Sequence, residues 1–260
     1  AKYLRAQLRA YTEALRALEA SSNPKHTEIK KKLESCCRNT PCRKPYCPIC
    51  TYEKILRTEE RFAQVLDPYP DEELFLLTII FGACARVDEV EILCRDFKER
   101  FKQFAKDWSS ETGYSLPYVG QIEVDILPAR LVTEESCSNT FKCLSEVNPG
   151  VIQQIASRDD LLLKPHAHIW VACPDSKRLG ARLRTYGTRR HNKCSPHWPA
   201  LFQIDIRGAR QDQTRADRIR RTASYVHKYV KPNALISNNI AQDVILQDIT
   251  LQDELHSSLF

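Results

Sequence analysis

The run LLLKPHAHIWVAC, Leu161 to Cys173, constrains the fold more than any other stretch of the 260-residue chain. It is apolar, yet far shorter than the ~20 residues a membrane-spanning helix needs. Its length and its apolar residues mark a buried strand. On a strand, residues i and i+2 share a face. His166, His168 and Trp170 therefore point one way, and Ala167, Ile169 and Val171 the other. Two imidazoles on one face can grip one cation if a third ligand joins them.

The surrounding pattern is expected to supply it. LFLLTIIFG (Leu74 to Gly82) reads as a buried strand. Val87 to Trp108 reads as a helix, with Val90, Leu93, Phe97, Phe101 and Phe104 on one face. YVGQIEVDI (Tyr118 to Ile126) alternates strictly, with Gln121, Glu123 and Asp125 on its polar side. Residues 128–160 show no period and read as an insertion. A basic helix over Ser176–Tyr186, a strand over Ala200–Gly208 and a helix over Gln211–Lys231 complete the order. The pattern β-α-β-β-(α)-β-α predicts an α+β fold: a ferredoxin-like (RRM-like) antiparallel sheet with helices on one face. Glu123 is the expected third ligand, because antiparallel neighbours bring same-face side chains within ~5 Å. Gln121 and Asp125 share that face, so the ligand could shift by two. Mixed nitrogen and oxygen donors suit Mn²⁺ or Mg²⁺, and Zn²⁺ also fits by softness.

Before this region the chain is helical. Leu4, Leu8, Tyr11, Leu15 and Leu18 form one stripe of a helix over residues 2–21. Asn23-Pro24 reads as its stop, and shorter helices are expected at Thr27–Leu33 and from about Tyr52 to Val65. Between them lies CCRNTPCRKPYCPIC, five of the chain's 11 cysteines within fifteen positions. Thiolates bind zinc tetrahedrally, so Cys42, Cys47 and Cys50 need one of the preceding pair. Cys37 is the expected fourth ligand, with Cys36 as the alternative. The metal would be structural, replacing a core this segment is too small to build. The expected division is N-terminal helices at 1–35, a zinc-binding segment and helix at 36–66, a core at 67–235 and a C-terminal tail or helix at 236–260.

The net charge of +6 is too modest to identify a nucleic-acid binder. Its placement says more: Arg178, Arg182, Arg184, Arg189 and Arg190 crowd one segment, and Arg215, Arg218, Arg220 and Arg221 another. Within RRTASYVHKYVKP, Tyr225 and Tyr229 stand four apart, with Lys228 three from Tyr225.

Taken together, PHAHIWV, YVHKY and PCRKPYCPIC resemble the HUH endonucleases, and among them the rolling-circle replication initiators of bacterial plasmids. LTIIFG and YVGQIEV take the places of that group's earlier core strands. The resemblance spans roughly residues 36–232. It implies that His166, His168 and Glu123 hold a divalent ion, Mn²⁺ or Mg²⁺, that polarises a scissile DNA phosphate. Tyr225 would attack phosphorus, leaving a 5′-phosphotyrosine link and a free 3′-hydroxyl. Lys228 would offset charge, and Tyr229 would be a second nucleophile or a packing residue. Arg178, Arg182, Arg184, Arg189, Arg190, Arg218 and Arg221 would track the DNA backbone. Implied partners are single-stranded or hairpin origin DNA, a host helicase and a polymerase, in a bacterial cytoplasm and with no membrane. No Gly-x-x-x-x-Gly-Lys phosphate loop occurs, so unwinding would be a partner's task. A transposase or relaxase would share this chemistry. A noncatalytic zinc-containing DNA-binding regulator, with its Tyr and His residues as packing, is the reading from another class.

Overall fold

The computed structural model describes residues 2–44, 47–82, 84, 86–128, 161–183, 204–208, 212–227 and 249–250. The chain forms two compact units, one of residues 1–58 with 223–260, the other of residues 59–222.

In the first unit, helix α1 (Lys2–Glu19) is followed by α2 (Pro24–Glu34) and by α3, which starts at Pro48 and runs to Leu66. Asn23-Pro24 lies in the expected break after α1 and also starts the next helix. The Asn23 side chain accepts a hydrogen bond from the Lys25 N–H, and Pro24 occupies the first turn, where its missing N–H is not needed. Ala14, Leu18, Ile29 and Leu33 pack with Cys47, Cys50 and Ile249 into one buried cluster. His26 links the turn after α1 to a distant part of the chain: its Nδ1 meets Ser21 Oγ at 2.7 Å and its Nε2 meets Thr250 Oγ1 at 3.1 Å.

The second unit is built on a four-stranded antiparallel sheet. Its strands are β1 (Leu74–Ile80), β2 (Tyr118–Pro128), β3 (Leu161–Ala172) and β4 (Ile204–Gly208), in the order β2-β3-β1-β4. The fold class is α+β. The run that opened the sequence is thus a central strand, paired on both sides, and it is buried from Leu163 to Cys173. Pro165 is tolerated there because it is needed only as an acceptor: its carbonyl takes the Phe81 N–H at 3.3 Å, one residue beyond the Ile80–His166 pair.

Helix α4 (Val87–Thr112) links β1 to β2. Its buried residues Val90, Leu93, Cys94, Phe97, Phe101, Phe104 and Trp108 recur at three- and four-residue steps. Phe97 stacks on Phe81 at 4.2 Å, and Phe101 meets Tyr118 edge-on at 4.9 Å. Gly113 ends the helix at φ +75°, its N–H bonded to the Ser109 carbonyl. Tyr118 lies opposite Val171, so α4 covers the face turned away from the histidines.

The expectation that helices cover one face only is corrected. On the histidine side, Leu74, Val119, Trp170 and Ala172 are buried in one cluster with Phe62 and Leu66 of α3 and Ile219 of helix α5 (Arg215–Val226). That face is divided along the strands: apolar and covered at one end, polar at the other, where Thr78, Gln121, Glu123, Asp125, Lys164, His166, His168 and Asp205 share the surface. Helix α5 begins at Arg215, later than expected, where Arg215 and Arg218 both bond the Asp71 carboxylate, at 2.6 and 2.7 Å. Residues 176–183 are helical, as expected of the basic helix. Of the insertion expected at 128–160, Pro128 ends β2 and residues 129–160 lie outside the described residues.

Candidate metal centres

The cysteine centre forms where the end of α2 and the start of α3 meet. Cys36 follows the C-cap Ser35, and Cys47 and Cys50 flank the first turn of α3. Cys36, Cys42, Cys47 and Cys50 converge, with Sγ–Sγ separations of 3.6 Å (Cys36–Cys50), 3.8 Å (Cys42–Cys50) and 3.5 Å (Cys36–Cys47). Four sulfurs about 2.3 Å from a zinc ion stand about 3.8 Å apart along the edges of their tetrahedron. These separations are far beyond the ~2.05 Å of a disulfide. The donor set and its spacing fit a structural metal such as zinc.

Two backbone N–H groups point at sulfur, Cys42 N to Cys36 at 3.3 Å and Arg43 N to Cys50 at 3.2 Å. Arg43 reaches this position with φ 57°. The hydrogen bond between Cys42 and Cys47 drives their thiols apart: Cys47 is lowered to about 5 and Cys42 raised. Burial pushes Cys50 up to about 11. The expected fourth ligand, Cys37, is corrected to Cys36. Cys37 is exposed, and its sulfur meets Thr40 Oγ1 at 3.0 Å instead.

The second centre lies on the polar end of the sheet. Glu123 is registered directly opposite His166, and Gln121 opposite His168. One carboxylate thereby faces both rings: Oε2 is 3.6 Å from His166 Nε2, and Oε1 is 3.6 Å from His168 Nε2. The three donor atoms lie within 4.8 Å of one another and could hold a metal ion. Ligands about 2.1 Å from a shared ion stand about 3.0–3.4 Å apart, so the donors would draw together on binding one. The rings stand nearly perpendicular, at 88°.

The other two positions considered for the third ligand are otherwise engaged. Asp125 pairs with Lys164 at 2.8 Å, both largely buried, and Gln121 Oε1 takes Arg61 at 3.5 Å. On the far side of the rings, His166 Nδ1 meets the Lys164 carbonyl at 3.3 Å and His168 Nδ1 meets Thr78 Oγ1 at 3.0 Å. A carbonyl only accepts, so Nδ1 of His166 carries the proton and its Nε2 lone pair faces the Glu123 carboxylate. Two acceptors face to face require a cation between them, either a proton or a metal. Burial lowers the pKa of His166, but the hydrogen bond and charge of Glu123 and the charge of Asp125 outweigh it and raise the value.

Three contributors escaped the sequence reading. Thr78 is the one polar residue inside LFLLTII, a signal that was there to be used. Lys164 neutralises Asp125. Gly120 lets β2 approach β3: a Cβ there would stand 2.6 Å from the His168 carbonyl oxygen and 2.9 Å from Ile169 Cγ1.

Tyr225 lies on α5 and is 47% exposed. His227, beside it in the motif, bonds Thr58 Oγ1 at 2.7 Å. Lys228 and Tyr229 lie outside the described residues, as do Arg184, Arg189 and Arg190. The remaining arginines divide. Arg221 is exposed, and Arg178 lies over the Trp108 ring at 5.8 Å. Arg182 forms a two-pronged pair with Glu111. Arg218, expected to face DNA, is buried against Asp71, so its charge is neutralised within the fold. No helix among the described residues is long and apolar enough to cross a membrane. Compared with protein-family models, curated proteins and solved structures, the chain matches none of them.

Proposed function

We propose that this protein is a metal-dependent DNA strand nickase and ligase of the HUH type, which starts rolling-circle replication of a plasmid or similar replicon. The observation that carries the reading is the convergence of Glu123, His166 and His168 on one face of a central strand pair. Three protein donors leave coordination positions for a substrate oxygen. The strand order β2-β3-β1-β4, with α4 between β1 and β2, supports a ferredoxin-like core.

Bound at these donors, Mn²⁺ or Mg²⁺ would supply Lewis-acid polarisation of the scissile phosphate. The chain's own residues do the rest. Glu123 spans the two imidazoles and fixes their spacing. The Lys164 carbonyl holds His166 with its Nε2 lone pair inward. Tyr225, exposed on α5, is the nucleophile: its oxygen bonds to phosphorus, the 3′-oxygen leaves and takes a proton, and the 5′-phosphate stays on the tyrosine. Reversal by a new 3′-hydroxyl rejoins the strand without ATP, because one phosphodiester replaces another. Lys228 offsets charge at the tyrosine, and Tyr229 is a second nucleophile. The cysteine centre is a structural zinc site, and Arg178, Arg221 and the basic run through Arg190 track single-stranded origin DNA. Host helicase and polymerase complete the replication step.

Incubation with a pool of labelled single-stranded DNA hairpins and Mn²⁺ tests this. A covalent adduct that survives denaturation, needs a divalent ion and disappears in Tyr225→Phe is expected. No adduct with any divalent ion overturns the reading in favour of a noncatalytic DNA-binding regulator. Loss in Tyr229→Phe alone moves the nucleophile.

A further inference from the structure

We infer that Thr78 is a positioning residue for the His-x-His centre, holding His168 in the ring orientation and tautomer that present Nε2 to Glu123. This rests on the reading of Glu123, His166 and His168 as a metal site.

The two histidines are not held alike. His166 Nδ1 faces a backbone carbonyl at 3.3 Å, a partner that no side-chain change can remove. His168 Nδ1 faces a side chain, Thr78 Oγ1, at 3.0 Å across the β1–β3 pair, where Thr78 and His168 are directly opposed. His168 is 6% exposed, so its ring cannot exchange that contact for bulk water. A 180° turn of the ring would bring a carbon to the position now taken by Nε2, and the 3.6 Å approach to Glu123 Oε1 would no longer involve a donor atom. The Thr78 hydroxyl resists that turn, because only the present orientation gives it a ring nitrogen. When the hydroxyl accepts from Nδ1–H, the Nε2 lone pair is left for a metal. Outer partners of this kind typically change metal affinity by 10–100-fold.

The fold does not require a hydroxyl here. Valine has nearly the shape of threonine and suits strands as well, and Thr78 lies in a run that is otherwise Leu, Phe and Ile. What distinguishes threonine from valine at this position is its bond to His168.

Thr78→Val in the full, zinc-loaded chain is the test, with Mn²⁺ alone as the probe. We expect Mn²⁺ affinity by titration calorimetry to fall by about 10–100-fold, and Thr78→Ser to restore it. In long-range ¹H–¹⁵N spectra of the metal-free protein, His168 Nδ1 is expected to show the signature of a hydrogen-bonded ring nitrogen and to lose it only in Thr78→Val. Unchanged affinity and an unchanged His168 spectrum in Thr78→Val overturn the positioning role and leave the metal site standing. If the unaltered chain binds Mn²⁺ no better than Glu123→Gln or His166→Ala, the metal site fails and the inference with it.

Discussion

The two centres solve the same problem, bringing several ligands to one point, by opposite means. At the cysteine centre, a loop and two helix ends gather around four sulfurs, and two N–H groups converge on them. The ligands there are part of what organises the segment. On the sheet, the ladder β2-β3-β1 sets the positions first, and Glu123, His166 and His168 are mounted on it. A centre that makes its own scaffold should fail structurally when damaged. One that borrows a scaffold should fail only in binding.

The largest expected effect therefore lies at the cysteines. Cys36→Ser should abolish zinc binding at the four sulfurs and cost more than about 3 kcal/mol of stability in the zinc-supplied protein, whereas Cys37→Ser should change neither quantity. Metal content after gel filtration and thermal melts would read both. If Cys37→Ser is the damaging change, the assignment of Cys36 is wrong. Next is Gly120→Val. The forced contact with the His168 carbonyl should cost about 2–3 kcal/mol by overpacking and weaken Mn²⁺ binding together with stability, a link that no histidine variant should show. His168→Ala should lower Mn²⁺ affinity by more than about 100-fold yet move the metal-free melting temperature little, since it removes a ligand from a scaffold that strands hold. A large loss of stability in that variant would erase the contrast between the two centres.

The smallest effect concerns acid. Partial burial raises the pKa of Asp71, but hydrogen bonds from Arg215 and Arg218 outweigh it and hold the carboxyl below its ordinary value. A depressed folded-state pKa adds stability above the unfolded value of about 3.9, and that stability is lost as pH falls through the folded value. Asp71→Asn should destabilise the chain by about 1 kcal/mol at pH 7, with the gap from the unaltered protein closing in acid. A gap that persists in acid, once the folded carboxyl is protonated, would show that packing, not charge, is what the substitution removes.

Much of this was legible in the sequence, for physical reasons that differ from residue to residue. His166 and His168 needed only the two-residue period of a strand, and Cys47 and Cys50 only their local spacing. Glu123 was legible to within two residues, because alternation fixes a face while pairing fixes the register. Cys36 and Cys37 are adjacent, so choosing between them requires the path of the backbone after Ser35. Asn23-Pro24 carries the same letters whether it ends one helix or begins the next. Here the Lys25 N–H and the buried Ile29 and Leu33 decide for the second. The covered apolar end of the histidine face depends on Phe62 and Leu66 meeting Trp170, more than a hundred positions away, which no local window contains.

Gly120 has a consequence for descent. Its hydrogen is the spacer between β2 and β3 at the row next to the Gln121–His168 pair, so a lineage that gains a side chain there must part the strands or slip the register. A slip by two keeps every face in place but sets Gln121 or Asp125 opposite His166. Among relatives of this chain, a residue other than glycine at this position should therefore travel with a changed carboxylate position on β2, and the two sites should vary together or not at all.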